Sequence, residues 1–319
     1  MTEKLNPHII AVMLNWNEFH HTVPCIDSLK KSTIPLLKII VLDQASEDGS
    51  GEKLQQLYRD DQQVQIVQNE KNYGFAKGMN IGIQKALDSG AEYVFILNND
   101  TIVDTNCLQN LYEVILSEPK AAVAGPIIMY YSNPEKIWQA GGFFNKLKMG
   151  ITVPYKGKKL SEISYSISQV DFLTGCALLF PQQTFQEIGL FDTSLFFYGD
   201  DVDYGLRIKN FGMNMYFVPS AKVWHKIEDI SVDRTTPYVL YHLARSTIIM
   251  LRKRFSGLEK WYGILLQFTI YTLFRIKQII EGGRGWNSLF AWIKGLVHGL
   301  SAKVEREYIP SLERQDNRN

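Results

Sequence analysis

A chain of 319 residues, 45% of them hydrophobic, has enough apolar surface for one large α/β domain with an appendage or for two small domains, which excludes disorder as the default state. The formal net charge of +1 excludes a globally basic nucleic-acid binder, so no nucleic-acid partner is expected. Cys25, Cys107 and Cys176 are odd in number and far apart, with no CxxC pair, which argues against a disulfide framework or zinc site and for a reducing cytosol.

Met1 to Leu5 carries no apolar signal-peptide core and leads directly into a strand, so export is not expected. Pro7 to Leu14 is a β-rich apolar run ending in Asn15-Trp16-Asn17, and a helical pattern follows through Lys31. Leu36 to Leu42 repeats the unit, with the polar turn Asp43 to Ser50 opening a helix to about Tyr58. A third strand is expected at Val64 to Val67. The loop Asn69 to Asn80 then opens a helix that lasts to Leu87, and Gly90 ends it. Tyr93 to Leu97 reads as a central buried strand running into Asn98-Asn99-Asp100, and a helix spans about Thr105 to Leu116. These alternations argue a parallel, doubly wound sheet. In such sheets ligands bind beyond the carboxyl ends of the strands, so Asp100 is aimed at a pocket.

The second half reads differently. Ala121 to Tyr131 and Ile137 to Phe144 look like strands without intervening helices, and Gly150 to Ser168 like a polar excursion over the pocket. Phe172 to Phe180 reads as one buried strand interrupted by Gly175. Asp200-Asp201-Val202-Asp203 opens a helix, and Met213 to Pro219 with Ala221 to His225 closes the globular part. From Thr235 the pattern becomes amphipathic and helical over Tyr238 to Phe255, Leu258 to Ile280 and Trp286 to about Val304. Only 14 residues separate Lys260 from Arg275, against roughly 20 needed to span a bilayer. Trp261, Trp286 and Trp292, interleaved with Arg252, Lys253, Arg254, Arg275, Lys277, Arg284 and Lys294, suit helices lying in a membrane interface; a homodimer or intramolecular packing surface is the alternative.

The order of motifs resembles family 2 glycosyltransferases of the GT-A fold, particularly the rhamnosyltransferase-like and galactofuranosyltransferase-like members. The residues that carry the resemblance are Val41-Leu42-Asp43 with Ser46 and Asp48-Gly49-Ser50, Asn72-Tyr73-Gly74-Phe75-Ala76, Leu97-Asn98-Asn99-Asp100, Gly175, and Asp200-Asp201-Val202-Asp203 ahead of Trp224-His225. The likeness covers about residues 8 to 230 and only loosely the C-terminal helices. It implies a GT-A-type (Rossmann-like) α/β domain over 1–235, with a nucleotide-sugar half at 1–120, an acceptor-side half at 121–235 and a helical extension at 236–319.

The resemblance also implies an inverting transfer from a dTDP- or UDP-linked sugar, with dTDP-rhamnose one such donor, to a hydroxyl of a cell-surface glycan or lipid-linked saccharide. The expected setting is cytoplasmic, peripheral at the inner face of the membrane. A nucleotidyltransferase or a non-catalytic sugar-nucleotide-binding protein is the alternative. The former would want a glycine-rich basic loop near the N-terminus, where this chain has Leu14-Asn15-Trp16-Asn17; the latter would tolerate loss of the acidic cluster.

Stabilising a diphosphate leaving group needs a hard divalent cation, Mg2+ or Mn2+, on oxygen ligands, and Asp100 is the expected ligand. Asn98 stands where the family pattern has Asp and brings no charge, though it can bond the ribose. By resemblance His225 is a further metal ligand, or else structural. Asp43 is expected to bond the imide N–H of uracil or thymine. Trp16 either stacks on that base or is core. Asn15, Asn72, Gly74 and Asn99 are assigned to the donor site, with Lys77 as a phosphate partner or a solvated lysine. Asp201 is the expected general base, with Asp200 its rival; Asp203 caps the helix or pairs with Arg207.

Overall fold

The computed structural model describes residues 7–164, 166–227 and 235–303. The expectation for Met1 to Leu5, the boundary drawn at residue 235 insofar as it rests on 228–234, and the end of the last helix at Val304 lie outside the described residues. The first half is β1 (Ile9–Asn15), α1 (Phe19–Leu29), β2 (Lys38–Asp43), α2 (Ser50–Leu57), β3 (Val64–Gln68), α3 (Gly74–Asp88), β4 (Tyr93–Asn98), β5 (Thr101–Val103) and α4 (Cys107–Ser117). Next come β6 (Ala121–Tyr130), β7 (Ile137–Gln139), β8 (Phe143–Asn145), β9 (Gly150–Thr152), β10 (Ser168–Val170), β11 (Ala177–Pro181), α5 (Gln182–Ile188), α6 (Asp200–Asn210) and β12 (Asn214–His225). The C-terminal helices are α7 (Pro237–Arg254), α8 (Gly257–Leu266), α9 (Thr272–Glu281) and α10 (Trp286–Ser301).

The main sheet has the order β10-β12-β6-β11-β4-β1-β2-β3, with β5 beside β12 and β7 beside β6. β1, β2, β3 and β4 are mutually parallel. β11 runs antiparallel between β4 and β6, so β6 and its parallel neighbour β12 point the same way as the first four. The result is a mostly parallel α/β sheet. Side-chain alternation divides its two faces: Ile9, Ala11 and Met13 of β1 join α1 and α4 on one side, and Ile10 and Val12 join α3, α5 and α6 on the other. Burial on both faces explains why these strands read as continuous apolar runs.

Three local expectations need correction. The run Phe172 to Phe180 is not one strand: β11 begins at Ala177, and the chain before it turns so that a Cβ on Gly175 would sit 3.1 Å from the Phe75 ring. The polar segment after Gly150 is partly structured. β9 pairs with β8, and the chain near Lys158 runs along β7, where Ile137 N donates to the Lys158 carbonyl. The helix expected over 258–280 runs without a break but is not regular α-helix throughout, since it holds a π-type turn at Gln267–Tyr271.

The tail is tied to the sheet domain at α7. Thr236 caps it, its hydroxyl accepting from Val239 N, and Pro237 occupies the first turn. At the other end Arg254 grips Asp203 of α6 through Nε and a second guanidinium nitrogen at 2.6 and 3.0 Å, and Arg207 Nε lies 3.4 Å from the same carboxylate. Lys253 Nζ is 2.6 Å from Asp192 Oδ2. Arg252 donates to the Gly299 and Ala302 carbonyls at the end of α10, and Trp292 is buried with its indole N–H on Thr272. Of these four residues, expected at a membrane interface, Lys253, Arg254 and Trp292 are interior and Arg252 is half-buried, because each finds a fixed partner that water or lipid would otherwise supply. No helix among the described residues is long and apolar enough to cross a membrane.

Candidate active site

Strand register assembles the site. Asn15 at the end of β1 lies opposite Asp43 at the end of β2, and Leu14 lies opposite Asn98 at the end of β4. On the far side β12 ends at His225 opposite Thr101, which brings the histidine beside Asp100. Asn15, Asp43, Asn98 and His225 all sit at the carboxyl ends of co-directional strands.

Asp43 is buried and heavily bonded. Its Oδ1 accepts from Asn15 Nδ2 at 2.7 Å and from the Ser46 hydroxyl at 2.6 Å, and its Oδ2 accepts from Ser46 N at 3.0 Å. A carboxylate has about four acceptor positions, so one remains for a base N–H. Gly51 permits this arrangement, since a Cβ there would come within 2.6 Å of Asp43 Oδ2. A relay continues from Asn15: Thr22 Oγ1 donates to Asn15 Oδ1 at 2.7 Å, and Asn99 Nδ2 donates to Thr22 Oγ1 at 2.8 Å. Asp43 and the Asn98-Asn99-Asp100 turn are thus held by one chain of hydrogen bonds. Trp16 is 55% exposed beside them, which excludes the core alternative.

The loop before α3 is clamped by Gln44, which sequence reasoning passed over. Its side chain donates to the Gly74 carbonyl at 2.9 Å and accepts from Asn69 at 2.9 Å and Tyr73 N at 3.3 Å. Asn72 Oδ1 accepts from Gly74 N at 2.8 Å. Gly74 has φ +74°, and a Cβ there would come within 2.8 Å of the Phe196 carbonyl, so both conformation and space require glycine. Lys77 lies exposed at this loop, with Nζ 4.5 Å from the Tyr73 ring centre.

At the opposite end His225 Nε2 lies 3.0 Å from Asp100 Oδ1 and 3.5 Å from Asn98 Nδ2. Asp100 Oδ1 is buried and has no hydrogen bond among the described residues. Asp100 and His225, an oxygen and an imidazole nitrogen side by side, are the residues here that could hold a divalent cation, with the ring in its neutral form. Asn98 adds no charge there. Burial opposes charge on His225, but the neighbouring Cys176 sulfur and the Asp100 carboxylate outweigh it and lift the ring to about 10. Glu18, unremarked in the sequence, belongs to the same end: its carboxylate accepts from Asn99, and loss of solvent followed by the charge of Asp100 raises its pKa. No spacing rule points from Glu18 to Asp100.

The acidic cluster occupies the first turn of α6. Tyr198 at φ +64° and Gly199 at φ +89° form two successive left-handed residues ahead of it, a strained turn for tyrosine that aims Asp200 and Asp201 inward. Asp201 accepts from Val202 N at 2.8 Å and from the Gly175 N–H. Asp200 is buried with Oδ1 unpaired among the described residues. Burial raises both carboxyls, and the charge of Asp201 raises Asp200 further. Asp201, with two backbone N–H donors favouring its ionised form, is therefore the member of the pair that carries the charge. Asp203 pairs with Arg207, as expected, and also with Arg254.

A mostly parallel sheet whose strands end in polar residues, with an acidic helix start beside it, is the GT-A arrangement, and solved glycosyltransferase structures share this fold. The chain overlays S. aureus TarS 1-349 in complex with UDP-GlcNAc with TM-score 0.58 at 14% identity, covering 93% of this chain and 82% of that one. It overlays GalNAc-T7 with UDP, GalNAc and Mn2+ with TM-score 0.60 at 20% identity, covering 76% of this chain but about half, 48%, of that one. The chain belongs to glycosyl transferase family 2, whose model matches residues 10–189. It is 24% identical to dTDP-rhamnosyl transferase RfbF of Shigella flexneri, over 78% of this chain and 81% of that protein. It is 26% identical to N-acetylglucosaminyl-diphospho-decaprenol L-rhamnosyltransferase of Mycobacterium tuberculosis, over 82% of this chain and 88% of that protein. This membership makes the protein a glycosyltransferase of the rhamnosyltransferase-like kind and sets aside the nucleotidyltransferase and non-catalytic alternatives.

Proposed function

We propose that the protein transfers L-rhamnose from dTDP-rhamnose to a hydroxyl of a lipid-linked saccharide, inverting the anomeric carbon. The observation that carries this reading is the short bridge between the two sides of the site. Gly175 adjoins Asp201, the carbonyl of the next residue, Cys176, accepts from Asn98 N at 2.9 Å, and His225 contacts Asp100. This proximity supports a base on the acceptor side and ligands on the leaving-group side, as an in-line displacement needs.

Asp43 and Asn15 orient the base of the donor, Trp16 stacks on it, and Asn72, Gly74 and Lys77 border the diphosphate. Asn98 and Asn99 complete the strand-end wall. Asp100 and His225 would hold a divalent cation, Mg2+ or Mn2+, which would offset the charge of the departing diphosphate. Asp201 takes the proton from the acceptor hydroxyl as that oxygen attacks from the opposite face, and Asp200 shapes its charge. The dTDP-rhamnose donor and lipid-linked acceptor are supported by the names of the two rhamnosyltransferase relatives.

The same reading places the protein at the inner face of a membrane. Leu258, Trp261, Leu265, Leu273, Trp286 and Phe290 of α8 to α10 are exposed large apolar residues, with Lys260, Lys277 and Lys294 among them. An apolar face with interleaved cations suits an anionic lipid surface; a homodimer is the competing occupant. Screening nucleotide sugars for release of nucleoside diphosphate tests the donor. Release from dTDP-rhamnose above all others supports the proposal, and release from UDP-hexoses alone contradicts it.

A further inference from the structure

We propose that the aromatic cluster of Phe196, Phe197, Tyr238 and His242 is the acceptor subsite and takes a hexopyranose ring of the acceptor glycan. This rests on the transferase reading above and adds the surface that reads the acceptor. Phe196 and Phe197 lie in the chain that leads through the strained Tyr198-Gly199 turn into Asp200 and Asp201, three to five residues before them. The Phe196 ring is also the group that crowds Gly74, with ring carbons 2.9 Å from a Cβ built there, so the cluster adjoins the donor loop. A saccharide whose hydroxyl meets the donor sugar at Asp201 must rest on a surface in this position.

The chemistry of the cluster matches a sugar. The His242 ring stands 5.3 Å from Phe196 and 4.6 Å from Tyr238, centre to centre. Phe196 and Tyr238 are 36% and 55% exposed. A pyranose presents an apolar C–H face to aromatic rings and hydroxyls at its rim, so it calls for aromatic surface with polar atoms at the edge. His242 adds a polar atom beneath the rings: its Nδ1 is shielded from solvent and has no hydrogen-bond partner among the described residues, so it is left to a hydroxyl that enters between them. Burial and Arg245 hold the ring below its usual pKa, so it is neutral at pH 7 and offers either an acceptor or a donor to a hydroxyl. The platform is fixed from behind. Ser246 Oγ donates to the Phe197 carbonyl at 3.0 Å, and Arg245 donates to the Ser194 carbonyl at 3.1 Å, so α7 sets the position of the 194–197 chain. A nucleotide base would also stack on such rings, but the strand-end Asp43 and Trp16 already serve that group.

The test is saturation-transfer NMR on the full chain with dTDP and Mg2+, using octyl N-acetyl-β-D-glucosaminide and octyl α-L-rhamnoside as probes. The expected result is saturation of the pyranose C–H protons of at least one probe by the wild type. Tyr238→Ala and His242→Ala then each weaken that probe about tenfold, Tyr238→Phe retains most of the binding, and the dTDP signals stay unchanged. Tyr238 is exposed, so Tyr238→Ala folds even where His242→Ala does not. Pyranose signals that survive Tyr238→Ala at full affinity, or a wild type that saturates only the octyl chain or neither probe, overturn the proposal. Pyranose signals without dTDP signals in the wild type support the subsite and overturn the donor assignment, so the two failures are distinguishable.

Discussion

Replacing Arg254 by methionine tests whether α7 is an integral part of the catalytic domain. The guanidinium makes two bonds to Asp203 at 2.6 and 3.0 Å, and the two side chains are 10% and 1% exposed. Removing one partner of a buried pair leaves the other charge desolvated and costs about 3–5 kcal/mol. Arg207 Nε remains 3.4 Å from Asp203, so the loss falls toward the lower end, near 3 kcal/mol. Urea unfolding followed by tryptophan fluorescence reads the change. Adding Asp203→Asn to Arg254→Met restores part of the stability, because the stranded charge is gone. If Arg254→Met stays within about 0.5 kcal/mol of the wild type, the pair behaves like a solvated surface bridge and the reasoning fails.

Asp100→Ala abolishes transfer and removes the divalent-cation dependence of dTDP binding, with His225→Ala milder; calorimetric titration with and without chelator checks this, and full activity of Asp100→Ala in chelator refutes it. The raised carboxyls of Asp200 and Asp201 mean that the native state keeps protons the unfolded chain has released, so stability falls as pH rises from about 4 through the folded values. Asp200→Asn therefore stabilises the fold at pH 8 by more than about 1 kcal/mol but has little effect at pH 4, and equal effects at both pH values in denaturant melts would count against the assignment. Trp261→Ser combined with Leu273→Ser lowers flotation with anionic vesicles at low salt while leaving stability within about 1 kcal/mol, since both side chains are exposed; unchanged flotation makes the face a dimer or packing surface.

The sheet was legible because its strands carry a period the sequence shows directly: apolar runs at Ile9 to Leu14, Ile39 to Leu42 and Tyr93 to Leu97 are buried on both faces and end in polar residues. The strand-end residues Asn15, Asp43 and Asn98 were legible for the same reason, and register alone brings them side by side. Glu18, Thr22 and Gln44 were not, because each contributes through a bond to a residue distant in sequence that no local pattern encodes. The tail misled at Arg252, Lys253, Arg254 and Trp292, since a helix rich in cations and tryptophan reads the same whether its partners are lipid or the carboxylates of another helix. Gly175 was read as breaking a strand, whereas it lies before one, at a turn that presents its N–H to Asp201.

Asp201→Asn is the most direct test of the account. General-base help is worth about 10²–10⁴ in rate, so the variant loses turnover on that order while its affinity for dTDP-rhamnose, measured separately by calorimetry, stays within about twofold of the wild type. Asp200→Asn loses less. Turnover retained by Asp201→Asn, or lost only in proportion to donor affinity, contradicts the assignment and gives the role to Asp200.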